Sequence, residues 1–401
     1  MEKELYAIGE DISLETTPEK MYAYVIRPEK HGEPVVAFQQ EIIDVPKIKP
    51  DEVLILIKAV GVNYNGIWSA LGLPRSPTTY HNCSFHITGS DASGIVWRIG
   101  SGINRNSIWF KEGDEIVIQC GQWCGQCPEC NGGNPMLCSD QKIWGYETPF
   151  GSFAQFSVVK PYQILPKPKH LTWAEASSYM LVSVTAWRML YGYIPHTLKP
   201  SQNILIIGAS GGLGSAAIQI VNNAGANPIA IVSSEEKGEY CLKLGAKTYI
   251  NKNNYKCWGK MPEVGSVLYA EFLNEARTLG KDINIKLNKK IAIDTVFEHA
   301  GENTFPVSCY LAKKGGMIVY CGATSGFNMT FDAAYVWTRQ KRIQGSHFGS
   351  LYDALQVNQA VQEGKIKPFL EKTFKWRELP QAHQLVYENK QPPGKIAIVL
   401  E

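Results

Sequence analysis

The sequence predicts an α/β protein of two unlike halves, a β-rich barrel-like half and a doubly wound parallel sheet. Between about residues 20 and 175, short strand-like runs such as EVLILIKAVGV, GIVWRIG and DEIVIQC alternate with Gly, Pro, Asn and Asp turn signals. From about residue 200, strands alternate with helical patterns: NILIIGA, GGLGSAAIQIVNNAGA, NPIAIVSS, EEKGEYCLKLGA. A glycine-rich turn joins the first of these strands to its helix.

The chain has 401 residues, 44% hydrophobic and 19% charged, enough to bury a large core in two or three domains. Lys and Arg number 40 against 37 acidic residues, so the net charge of +3 gives no footprint for nucleic acid or a membrane surface. The N-terminus, MEKELYAIGEDISLE, lacks a basic start and apolar run, and no segment approaches ~20 uninterrupted apolar residues. A cytoplasmic protein is expected.

In the first half, Cys124, Cys127, Cys130 and Cys138 give the spacing C-x2-C-x2-C-x7-C in a Gly-rich loop. Such spacing lets four thiolates converge on one tetrahedral zinc, and four sulfurs leave no open position for chemistry. The expectation is structural Zn2+; the alternative is a cluster of free thiols. Cys120 reads as a buried strand residue, and Cys83, Cys241, Cys257, Cys309 and Cys321 as packing residues.

The second half opens with ILIIGASGGLGSAAIQIV. Gly208 ends the strand, and Gly211, Gly212 and Gly214, with Ser210 and Leu213 between them, lead into a helix whose N-terminus can receive a pyrophosphate. The next strand, NPIAIVSS, completes the βαβ unit that this motif requires. An NAD site usually offers Asp or Glu there; this strand ends in Ser233 and Ser234 with Lys237 close by, which accept a 2′-phosphate and favour NADPH. Glu235 and Glu236 oppose that preference. Glu298 and His299, at the end of a later strand, fit either cofactor positioning or structure.

A barrel-like first half, a four-cysteine lobe, a nucleotide-binding domain and a C-terminal return together resemble the medium-chain dehydrogenase/reductase superfamily. The resemblance implies a GroES-like catalytic domain over 1–180, a Rossmann NADPH-binding domain over 181–345, and a return to the first domain over 346–401. Zinc alcohol dehydrogenases of that superfamily hold a catalytic zinc through a Cys in the segment matching VGVNYN and a His in that matching ITGSDASG. Here Asn63, Ser90 and Asp91 stand there. Chemistry without a catalytic zinc is expected.

Four segments carry a finer resemblance to the crotonyl-CoA carboxylase/reductase branch: NYNGIW, KIWGYETPFGSFAQF, DTVFEHAGENTFPVSCYLAKKGG with CGATSG, and WTRQKRIQGSHFGS. This resemblance implies reduction of an α,β-unsaturated acyl-CoA by NADPH, then attack of the enolate on CO2 held by an Asn, a Phe, a Glu and a His. The Asn falls on Asn65, the Glu on Glu147 and the His on His347; Tyr146 stands at the Phe position, and Pro149 where Asn is usual. Family members are commonly dimers or tetramers, so a homo-oligomer is implied.

The residue types suit that chemistry. Hydride delivery to an enoyl thioester puts charge on the thioester oxygen, which nearby donors stabilise without a metal. Carbon dioxide, uncharged but polarised, can be held by an Asn amide and a His N–H, while Glu orders donors around it. Phe excludes proton sources, whereas Tyr146 adds a hydroxyl able to donate a proton. On that basis Tyr146→Phe should raise the carboxylated fraction. Each residue also has a structural reading: Asn65 in a turn, Tyr146 and Trp144 in the core, His347 at a strand–helix junction. Lys256, Lys260, Arg277 and Lys281 fit CoA phosphates or a solvated surface. The competing functions are a purely reducing enoyl-CoA reductase, a zinc alcohol dehydrogenase, and a non-enzymatic redox or zinc sensor on the same scaffold.

Overall fold

The computed structural model describes residues 3–401, which form two compact units. One runs to Leu181 and resumes at Gly349; the other is Val182–Phe348. Among the described residues, no helix is long and apolar enough to cross a membrane.

The first unit is built on a seven-stranded sheet. Its path runs Leu370–Lys375, Lys395–Val399, Val53–Gly61, Ala92–Ile99, Glu115–Ile118 and Ile164–Pro166, and Phe156–Val159 also pairs with Val53–Gly61. The C-terminal strand therefore lies antiparallel beside Val53–Gly61, with Ala397 opposite Gly61 and Val399 opposite Ala59. Alternating Val, Ile and Leu drive this sheet together: Ile55, Ile57, Val96, Trp97, Phe153 and Phe156 are all at most 1% exposed. A separate antiparallel pair joins Lys20–Val25 to Gln39–Asp44.

Directly after Val53–Gly61 the chain turns into the helix Tyr64–Leu71, with Asn63 at its N-cap position and Gly72 in the left-handed conformation at its end, φ 69°. The Gly72 N–H bonds the carbonyls of Ser69 and Trp68, closing the helix. Asn65 thus sits in the first turn of the helix that directly follows Val53–Gly61, an interior strand of the sheet.

The second unit is a six-stranded sheet in the order Thr248–Asn251, Asn227–Val232, Asn203–Ile206, Ile293–Glu298, Ala312–Tyr320, Arg342–Gly345, every pairing parallel. The apolar runs NILI and NPIAIV are what a strand covered on both faces needs. Chain direction across the sheet reverses between Asn203–Ile206 and Ile293–Glu298, the switch point where such sheets bind ligands beyond their carboxyl ends.

Candidate active site

The glycine turn lies at this switch point. The helix Gly212–Asn223 begins from Gly211 with no side-chain cap, so its first-turn N–H groups are left for an anion. A Cβ at Gly214 would come within 2.5 Å of Ala209 Cα, so only glycine lets helix and strand approach this closely. Ser210 is nearly buried in the turn, and Leu213 is half-buried. Over Gly208, at φ +62°, lies the ring of His299: a Cβ there would meet His299 Cε1 at 2.8 Å. Burial pushes the His299 imidazole down to about 4, so it is neutral, and its Nε2 has no hydrogen-bond partner.

At the end of Asn227–Val232, Lys237 Nζ donates to Ser233 Oγ at 3.2 Å, placing an ammonium beside a hydroxyl on a half-buried shelf. Ser234 caps the helix Glu235–Lys243 by accepting from the Lys237 N–H, and it keeps its own hydroxyl proton to donate. Glu235 is engaged: its carboxylate accepts from Tyr249 Oη at 2.8 Å and Asn251 Nδ2 at 3.0 Å, and these bonds, that from Asn251 foremost, hold its pKa down. The acidic side chain next to the serines is thus engaged elsewhere. A glycine cradle, an uncapped helix start and a Ser–Lys shelf fit a phosphorylated dinucleotide.

Of the two readings open for Glu298, its contacts favour the structural one. Fully buried, it accepts from the N–H groups of Ala300 and Gly301 and from the hydroxyls of Thr304 and Ser308, with burial raising its pKa against the pull of these donors. Its carboxylate ties the turn after the strand and is not presented to a cofactor.

The four cysteines converge as their spacing predicts. Their sulfurs lie within 4.8 Å of one another, with Cys124 to Cys130 at 3.8 Å and Cys127 to Cys130 at 3.5 Å. A tetrahedron with Zn–S bonds of about 2.3 Å has edges of about 3.8 Å, so the sulfurs are close to the spacing zinc imposes. The N–H groups of Gln126 and Cys127 point at Cys124 Sγ, each at 3.4 Å, and hold that thiol down to about 6. Such a site fits zinc and gives it no open position.

The segment GYETPFG is strapped down on three sides. Trp144, fully buried, donates its backbone N–H to Cys120 O at 2.7 Å; Ile87 N donates to Pro149 O at 2.9 Å; and Gly151 N donates to Ile87 O at 2.7 Å. Gly145, at φ +70°, lies so close to Gly89 that a Cβ would be 2.0 Å from its carbonyl oxygen, while Thr88 Oγ1 donates to Gly145 O. Glu147 sits on the turn this produces, its Oε2 accepting from Ile143 N at 2.7 Å, which fixes one oxygen of the carboxylate and aims the other. Asn65 donates one Nδ2–H to Ser90 Oγ at 2.7 Å. An amide has two such hydrogens, so one remains for a ligand. In the other unit, His347 is exposed just past Arg342–Gly345, with Ser346 N bonded to Tyr320 O.

Tyr146 is engaged through its hydroxyl. Its hydroxyl donates to Leu73 O at 2.8 Å, and burial raises its pKa above the ordinary tyrosine value. The hydroxyl thus tethers this segment to the loop after Tyr64–Leu71, and its raised pKa makes it a weaker proton donor than an ordinary tyrosine. Among the basic residues, Lys260 pairs with Glu302 at 3.2 Å, and Arg277 and Lys281 lie on the helix Val267–Lys286.

Two family models match: "Alcohol dehydrogenase GroES-like domain" over residues 49–169 and "Zinc-binding dehydrogenase" over residues 212–363. With the fold described, they define a medium-chain dehydrogenase/reductase. A crotonyl-CoA carboxylase/reductase of Cereibacter sphaeroides is 52% identical over 399 residues, covering 100% of this chain and 92% of the relative. The chain belongs to the crotonyl-CoA carboxylase/reductase family. A crotonyl-CoA carboxylase/reductase solved with NADP superposes with a TM-score of 0.93 at 42% identity, covering 99% of each chain. A 2-octenoyl-CoA carboxylase reductase solved with NADP and 2-octenoyl-CoA gives 0.87 at 32% identity, over 96% of this chain and 88% of that one.

Proposed function

We propose that the protein is an NADPH-dependent enoyl-CoA carboxylase/reductase that reduces an α,β-unsaturated acyl-CoA and carboxylates the resulting enolate. The carrying observation is the 52% identity to a crotonyl-CoA carboxylase/reductase along the full chain, through both units. The Gly208–Gly214 turn and the Ser233–Lys237 shelf would hold NADPH, which when bound would supply a hydride for the substrate's β-carbon. The chain's own residues then govern the fate of the enolate. Asn65, already anchored on Ser90, offers its second N–H and its carbonyl to CO2. His347 stands at the position of the family's CO2-holding His and is exposed just past Arg342–Gly345. Glu147, anchored on Ile143 N, orders polar groups and water on the GYETPFG turn. The reading includes a homodimer or homotetramer. It is tested by NADPH oxidation with a series of enoyl-CoA esters, with and without bicarbonate, and mass analysis of the products: saturated acyl-CoA alone under saturating CO2 leaves a simple reductase.

The tether gives Tyr146 a different expectation from the one its residue type suggests. Removing the hydroxyl deletes a hydrogen bond to Leu73 O and only a weakened proton donor, so Tyr146→Phe should cost about 1 kcal/mol of stability. The ratio of carboxylated to reduced product should stay within about twofold of wild type, a change under ~0.5 kcal/mol between the two barriers. A rise of tenfold in that ratio would restore the hydroxyl as a proton source.

The metal belongs to this reading as one structural Zn2+ on Cys124, Cys127, Cys130 and Cys138. Because binding a closed thiolate site is coupled to folding, Cys127→Ser should release the zinc and lower the thermal midpoint of the protein. Activity per folded molecule should hold. Metal analysis finding a second equivalent that activity follows would overturn this.

A further inference from the structure

At the positions matching the zinc ligands of alcohol dehydrogenases, this chain builds a charged network of its own. Lys395, 5% exposed at the start of the C-terminal strand, donates from Nζ to the carbonyl of Val62 at 2.5 Å and to Asn63 Oδ1 at 2.5 Å, with Asp91 Oδ2 at 3.7 Å. Asp91, fully buried, accepts from Asn63 Nδ2 at 2.8 Å on one oxygen and from Leu181 N at 2.8 Å on the other. The Asn63 amide is therefore fixed in one orientation, its oxygen on the ammonium and its nitrogen on the carboxylate.

A buried ion pair is poor evidence for stability, because desolvating both charges offsets most of their attraction. What such a pair does supply is fixed geometry. Asn63 is the N-cap residue of the helix that carries Asn65, and Asp91 comes directly after Ser90, which accepts from the Asn65 amide. The network thus clamps both chain segments whose side chains meet in the Asn65–Ser90 bond, one two residues before Asn65 and one immediately after Ser90.

We propose that Lys395 and Asp91 are positioning residues for Asn65: the pair locks Asn63 and the Ser90–Asp91 segment so that Asn65 keeps one N–H on Ser90 and presents the rest of its amide to the electrophile. The inference rests on the reading that Asn65 holds CO2, and its test separates the two. Lys395→Met alone strands a buried carboxylate and can fail to fold, so the principal variant is Lys395→Met/Asp91→Asn, which removes both charges at similar volume.

Its crystal structure should show the Asn65–Ser90 bond broken. With bicarbonate, the ratio of carboxylated to reduced product should fall about tenfold, since a misplacement near 1 Å can cost a hundredfold. NADPH affinity should stay within twofold. Adding Asn65→Ala to the double variant should lower the ratio no further than Asn65→Ala alone, the non-additivity of residues acting through one another. An intact Asn65–Ser90 bond in the double variant overturns the proposal. So does a fall in ratio that adds in full to that of Asn65→Ala. A broken bond with a wild-type ratio upholds the positioning role and removes CO2 binding from Asn65.

Discussion

Ser233→Asp should raise the KM for NADPH about a hundredfold, roughly 2.7 kcal/mol, and bring NADH to parity or better. The change acts twice. A carboxylate at the end of Asn227–Val232 faces the 2′-phosphate with like charge, and two unit charges ~4 Å apart near a protein surface repel by about 4 kcal/mol. It also claims Lys237, whose Nζ already reaches Ser233 Oγ, and so withdraws the ammonium that the phosphate would use. For NADH the same carboxylate accepts from ribose hydroxyls, a gain where NADPH loses. Glu235 does not act this way in the wild type because Tyr249 and Asn251 hold its carboxylate. Steady-state kinetics with both cofactors at two ionic strengths decide the matter: unchanged kcat/KM for each would place the phosphate away from Ser233.

The features legible in the sequence were those made by residues close together along the chain. Gly208 to Gly214 form one turn, and Cys124 to Cys138 fold onto one loop, so spacing alone carries their geometry. Ser233 and Lys237 are four residues apart at a strand end and helix start, again a local matter. Side-chain commitments made over long separations were not legible. The Tyr146 hydroxyl is spent on a carbonyl 73 residues away, and nothing near either residue signals it. Lys395 reaches Asn63 across 332 residues; its one sequence signal was a lone lysine opening the apolar strand KIAIV. Glu298 fitted either a cofactor or a structural role because it ends a strand at the switch point, and whether such a side chain turns outward or in depends on donors further along, here Thr304 and Ser308.

Asn65→Ala should change what the enzyme makes more than how fast it oxidises NADPH. Once reduction has produced an enolate, a proton and CO2 compete for its α-carbon, and the product ratio depends only on the difference between two barriers. Carbon dioxide carries no charge and offers little surface, so its residence depends on a few hydrogen bonds. Asn65 is placed to give one, its other N–H being held by Ser90. Losing such a bond costs about 1–3 kcal/mol, and every 1.4 kcal/mol shifts the ratio tenfold, so the carboxylated fraction should fall between about fivefold and a hundredfold. Proton addition needs nothing from Asn65, so reduction should continue with saturated acyl-CoA as the product. His347→Asn should act in the same direction without abolishing reduction, since an amide replaces one imidazole N–H at shorter reach. Mass analysis of products at saturating bicarbonate reads both variants directly. If Asn65→Ala slows NADPH oxidation and carboxylation by the same factor, Asn65 serves hydride transfer or structure, and CO2 is held by other residues.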